Sequence, residues 1–132
     1  MIENSMNEQS NQTNFENNKV CNFGYLTEMM GNKKSLVKEI IDAYILQVPE
    51  ELETLSAAVE KIDYPTIKRL AHTIKSSVSI MGMSTATPIL QEMENLGTAC
   101  SNISRINELN ENLKLICQRA IEEINLEIVK YD

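Results

Sequence analysis

The chain has few of the features that mark a β-rich fold. Aromatic residues make up only 5% of its 132 residues, and tryptophan is absent. No run of alternating polar and apolar residues is bounded by the tight-turn dipeptides of a hairpin. The length and the 42% hydrophobic content suit one domain with one buried core. These features favour an all-α fold.

Excess positive charge and long apolar runs are also missing. The formal net charge is −7, and the basic residues are scattered singly or in pairs. This pattern excludes the basic stripe that nucleic acids and anionic membranes require. No apolar window of about 18 residues exists, and the N-terminus does not resemble a signal peptide. We therefore expect a cytoplasmic chain with protein partners and no contact with nucleic acid or membrane.

Cysteine and histidine are too few for a metal site or a disulfide framework. Cys21, Cys100 and Cys117 are widely spaced and form no CxxC pair, and His72 is the single histidine. We expect free thiols, with Cys100 and Cys117 packed in the core, and no bound metal.

Residues 1–22 differ in composition from the rest of the chain. They are rich in Asn, Gln, Glu and Ser and contain few bulky apolar residues, so their burial cannot offset the entropy of ordering. We expect a disordered N-terminal tail or linker over 1–22 and a helical domain over 23–132. Apolar residues recur through this domain at the three-and-four spacing of amphipathic helices.

The spacing predicts a short helix from Phe23 to the Gly31-Asn32 turn, and longer helices over about 33–62, 63–82, 87–100 and 102–130. Together they predict an antiparallel four-helix bundle with a short additional N-terminal helix.

Three features of these helices depend on single residues. Pro49 either kinks the long second helix or starts a new one. The next-to-last helix begins at Thr87-Pro88 or, one turn earlier, with Ser84 as its cap. Gly97 is expected to mark fraying toward the end of that helix.

His72 stands out on its helix because it lies opposite the apolar face. Lys68 precedes it by four residues, Lys75 follows by three, and Ser76 and Ser79 share the outer face. An exposed neutral imidazole is nucleophilic, and lysine charge stabilises a transferred phosphoryl group. Small neighbours leave room for a phosphorylated partner. A solitary exposed histidine is also common as a solvated surface residue, so helix geometry alone leaves both interpretations open.

The sequence around His72 resembles the signature of the histidine-containing phosphotransfer (HPt) domain family. The motif AHTIKSS contains His72, Gly82 follows ten residues later, and Met93-Glu94 stands further on. The resemblance covers about residues 23–130 and implies an HPt-like helical bundle.

This resemblance implies a site and a reaction. His72 would accept a phosphoryl group on Nε2 from the aspartyl phosphate of a response-regulator receiver domain, and would pass it to another receiver. Lys75 would steady the phosphoryl group, and Gly82 would let the chain turn; Lys68 is added as an auxiliary charge on spacing alone. Mg²⁺ would come from the receivers, so the chain would need no cofactor of its own. Ser76 stands where many members have glycine, which slightly narrows access to the histidine.

The implied partners are receiver domains, including those of a hybrid sensor histidine kinase. The sequence has no Gly-rich phosphate loop, so we expect no autokinase activity. It also has no sustained exposed apolar seam that would favour a dimer, so we expect a monomer. Docking is expected on an apolar patch near the histidine, with Ile80, Met83 or neighbouring residues of the second and third helices as candidates. The alternative function is a non-catalytic helical adaptor that binds a receiver or another helical partner. An enzyme of small molecules is disfavoured because no polar residues converge inward.

Overall fold

The computed structural model describes residues 19–131 and contains helices joined by short turns. In chain order these are α1 (Phe23–Met29), α2 (Lys34–Glu60), α3 (Tyr64–Ile80), α4 (Ala86–Ala99), α5 (Ile103–Glu127) and a short 3₁₀ helix (Ile128–Tyr131). Helices α2 to α5 each pack against the next, and α5 packs back against α2. The predicted all-α four-helix bundle with a short additional N-terminal helix is confirmed. No helix in this range is long and apolar enough to cross a membrane.

Helix α2 continues through Pro49, so the alternative in which a new helix starts there is wrong. Ile41, Val48 and Leu55 are buried on both sides of the proline. Each such burial contributes about 1.5–3 kcal/mol. A proline within a helix costs about 3 kcal/mol, so the apolar stripe outweighs the missing hydrogen bond.

Helix α4 begins at Ala86 with no side-chain cap, between the two predicted starts. Pro88 therefore lies in the first turn, where a missing backbone N–H is tolerated. Gly97 is buried, and the helix continues to Ala99, so the predicted fraying at this glycine is wrong.

Two cysteines pack in the core, but Cys100 does not. Cys117 is buried as expected, and Cys21 is also buried. Burial raises the pKa of both of these thiols. Cys100 is exposed because α4 ends there in the left-handed conformation, with φ of 51°. The expectation that Cys100 packs in the core was therefore wrong.

Residues just before the first helix also contact the bundle. The backbone N–H groups of Val20 and Cys21 donate hydrogen bonds of 2.7 and 2.9 Å to the Glu123 carboxylate on α5. Residues 20–22 therefore contact the helical domain, although the sequence assigns them to the tail. Residues 1–18 of the tail predicted over 1–22 lie outside the described residues.

Gly82 turns the chain at the end of α3, and its φ is +68°. A Cβ at this position would lie 2.6 Å from Asn22 Cβ and 3.2 Å from the Asn22 carbonyl oxygen. The Asn22 N–H donates a 3.0 Å hydrogen bond to the carbonyl of Met81, which holds the two segments together. The turn predicted at Gly82 thus needs glycine for both its conformation and its lack of a side chain.

Gly82→Ala is expected to lower the free energy of unfolding by more than the roughly 1–2 kcal/mol of left-handed strain alone. Gly31→Ala is the matched control, because Gly31 has φ of +64° and a Cβ added there would meet nothing within 4 Å beyond its chain neighbours. Urea unfolding of both variants separates the strain from the contact with Asn22. An equal loss of stability in the two variants would show that this contact contributes nothing.

Candidate phosphotransfer site

His72 projects from the outer face of α3, and 66% of its side-chain surface is exposed. The opposite face of the helix is anchored in the core by its buried residues, which are Ile67, Leu70, Ala71, Ile74 and Val78. This arrangement follows from the amphipathic spacing of α3. The imidazole therefore stands in solvent on a fixed helix, where another protein can reach it.

Glu94 on α4 contacts one of the two ring nitrogens of His72. Nδ1 of the imidazole lies 3.1 Å from Oε2 of this carboxylate. An ionised carboxylate only accepts hydrogen bonds, so the neutral ring carries its proton on Nδ1 when this contact forms. The contact therefore favours the tautomer whose lone pair lies on Nε2.

Lys75 completes a bridge between α3 and α4. Its ammonium donates hydrogen bonds of 2.8 Å to Oε1 of Glu94 and 2.7 Å to Oε1 of Gln91. The hydrogen bond from Lys75, with a further one from His72, holds the pKa of the Glu94 carboxyl below its usual range. Glu94 therefore stays ionised at neutral pH, and its charge is lost only when the pH falls through this lowered pKa.

The other predicted site residues divide into two groups. Lys68 is exposed and lies with His72 and Glu94 around a shallow depression. Within residues 19–131 its ammonium makes no hydrogen bond or ion pair. Ser79 and Gly82 instead line a neighbouring groove toward the end of α3.

Ser76 lies one helical turn beyond His72 and is exposed. It is not among the residues that line the depression around the histidine. The structure thus places Lys68 beside the imidazole and links Lys75 to it through Glu94. Ser76 stays outside this depression, and Ser79 belongs to the neighbouring groove.

Comparison with known proteins shows the family. The family model described as the Hpt domain matches residues 39–127, which is more than half of the chain. The chain belongs to the Hpt domain family. Hpt domains act in histidine phosphotransfer within phosphorelays and interact with receiver domains. No curated protein and no solved structure gave a significant match.

Sequence reasoning about this Hpt domain missed the contacts made by α4. The Met93-Glu94 pair belongs to the motif that resembles the family signature, but the motif gives Glu94 no role. The signal for Glu94 was its position directly after Met93, which is fully buried and so fixes where the next side chain leaves the helix. No comparable signal marks Gln91.

The docking residues expected for this Hpt domain need one correction. Met83 is fully buried, because the chain turns inward after Gly82, and it is therefore unavailable to a partner. Ile80 is partly exposed. Tyr25, which the sequence did not suggest, has 41% of its surface exposed and lines the same groove as Ser79.

Proposed function

We propose that this Hpt domain accepts a phosphoryl group on Nε2 of His72 from the aspartyl phosphate of a receiver, and passes it to a second receiver. The observation that carries the proposal is an exposed imidazole whose Nδ1 contacts Glu94, which leaves Nε2 as the nitrogen with the lone pair. The Nε2 lone pair forms the N–P bond as the P–O bond to aspartate breaks and the carboxylate leaves.

Glu94 has a second role in this proposal. The imidazole gains positive charge as Nε2 attacks, and the ionised carboxylate at Nδ1 stabilises that charge. After transfer, the phosphorylated ring either loses the Nδ1 proton and becomes neutral, or keeps this proton in its hydrogen bond to Glu94. The same carboxylate returns the ring to its starting tautomer after the group leaves.

Lys75 supplies positive charge for the phosphoryl oxygens. Its ammonium is held 2.8 Å from Glu94, so an incoming phosphoryl group competes with this carboxylate for it. Lys68 adds a second charge from the preceding turn of α3. The small side chains of Ser76 and Ser79 keep the approach to Nε2 open for the donor aspartate.

The remaining partners follow from this reaction. We propose that Mg²⁺ is supplied by the receiver, and that the domain acts in the cytoplasm as a monomer without autokinase activity. Among residues 19–131 no group of three or more His, Cys, Asp or Glu could hold a metal ion. A hybrid sensor histidine kinase is one source of such a receiver.

The labelling assay tests this function directly. The domain is mixed with a receiver phosphorylated on its aspartate with radioactive phosphate, and the label is followed on both proteins. We expect an acid-labile, alkali-stable label on the domain that moves on to a second receiver. Binding of the receiver without any such label would instead support the helical adaptor.

A further inference from the structure

Gly97 lies buried where α4 crosses α3. A Cβ at this residue would lie 3.1 Å from the backbone nitrogen of Lys68, 3.2 Å from its Cα and 3.2 Å from its Cβ. These distances are shorter than ordinary van der Waals contacts between such atoms. The backbone of α3 cannot rotate away as a flexible side chain would. A side chain at position 97 therefore requires the two helix backbones to move apart by a few tenths of an ångström.

The same interface carries the contacts of the site. Glu94 lies three residues before Gly97 on α4, and His72 lies four residues after Lys68 on α3. The close approach of Gly97 to Lys68 thus lies about one helical turn, roughly 5 Å, from the contact between Glu94 and His72. The distance from Glu94 Oε2 to His72 Nδ1 is 3.1 Å. Lengthening it by a few tenths of an ångström would break this hydrogen bond.

We propose that Gly97 is a positioning residue for phosphotransfer. Its missing side chain sets the separation of α3 and α4 at which one carboxylate, Glu94, reaches both His72 and Lys75. A wider separation leaves Nδ1 of His72 without its partner, and the proton then moves to Nε2, which an unrestrained imidazole prefers. The protonated Nε2 cannot attack phosphorus. The effect on transfer rests on the proposed function, whereas the effect on the tautomer does not.

The test uses Gly97→Ala in the full chain and reads the imidazole by nitrogen-15 NMR. His72 is the single histidine, so one imidazole gives the signal. We expect the proton on Nδ1 in the wild-type protein and a shift toward Nε2 in the variant. Phosphotransfer should slow by about three- to tenfold, in line with the cost of small misplacements in reacting groups.

Gly24→Ala is the matched control. Gly24 also lies in a helix, and a Cβ there meets only Asn22 Oδ1 at 3.4 Å, which is an ordinary contact. This variant should keep the wild-type tautomer and transfer rate. A role of Gly97 in stability alone would change the melting temperature without moving the tautomer.

Glu94→Asp keeps the test decisive if Gly97→Ala does not fold. It shortens the side chain by one methylene and leaves the Gly97 contact intact, so it should produce the same shift of the proton toward Nε2. A wild-type protein with its proton on Nε2, a folded Gly97→Ala that keeps the wild-type tautomer, or a Glu94→Asp that keeps it would overturn the inference. A wild-type protein that takes no label would instead remove the proposed function, and the NMR result would still decide the role of Gly97.

Discussion

Exchange of His72 for glutamine is expected to abolish labelling of the domain by a phosphorylated receiver. The chain has no second histidine, and the amide nitrogen of glutamine has no available lone pair for attack on phosphorus. The imidazole is 66% exposed and adds little to packing. The free energy of unfolding should therefore stay within about 0.5 kcal/mol of the wild-type value. Loss of label together with an unchanged urea transition is the expected pair of results.

Thr54→Ala is the control for this variant. Thr54 is exposed on α2, and its hydroxyl donates a 3.2 Å hydrogen bond to the backbone carbonyl of Glu50 in the same helix. This control should label like the wild type. Acid-labile label that persists on the glutamine variant would place the phosphoryl group elsewhere and remove His72 from the mechanism.

Replacing Lys75 with alanine is expected to slow transfer by about 10- to 100-fold in both directions. Removal of one charged donor from a developing phosphoryl charge has effects of about this size or larger. The side chain is 21% exposed and its ammonium contacts polar groups of α4, so its loss opens no cavity in the core. Glu94 also loses the hydrogen bond that contributes most to its lowered pKa. Rapid-quench measurement of label entering and leaving the domain separates the two directions.

Two further lysine variants control for charge. Lys75→Arg keeps a positive donor at the site and should retain more activity than the alanine variant. Lys114→Ala removes an exposed lysine that pairs with Glu111 on α5 and should transfer at the wild-type rate. Equal rates for wild type and Lys75→Ala in both directions would show that this ammonium does not act on the phosphoryl group.

The outward position of His72 could be predicted from the sequence because it depends on one helix. Ile67, Ile74 and Val78 repeat at helical intervals, and this spacing alone determines which face of α3 is buried. The turn at Gly82 was equally local, since a glycine that follows a helical pattern commonly takes a left-handed conformation. Local periodicity and local backbone preference were sufficient for these features.

The Glu94 bridge could not be predicted, because it depends on how α4 is placed against α3. The spacing within each helix says nothing about their relative register, which is set by packing at residues such as Gly97. The sequence instead suggested fraying at this glycine, since glycine has low helix propensity. In the structure this glycine instead allows the backbones of α3 and α4 to approach each other closely within an intact helix.

The contacts of Val20 and Cys21 with α5 could not be predicted for a related reason. Val20 and Cys21 are held through their backbone N–H groups, and a composition of polar residues does not reveal such bonds. Their partner Glu123 lies about a hundred residues further along the chain. Long-range contacts of this kind carry no local pattern.

The most direct measurement is the position of the phosphoryl group on the labelled domain. The domain is labelled with nitrogen-15, phosphorylated by a receiver, and examined by NMR for coupling between phosphorus and the ring nitrogens of His72. The proposed mechanism predicts a phosphoryl group on Nε2, with Nδ1 still facing Glu94. A phosphoryl group on Nδ1, or on any residue other than His72, would contradict it.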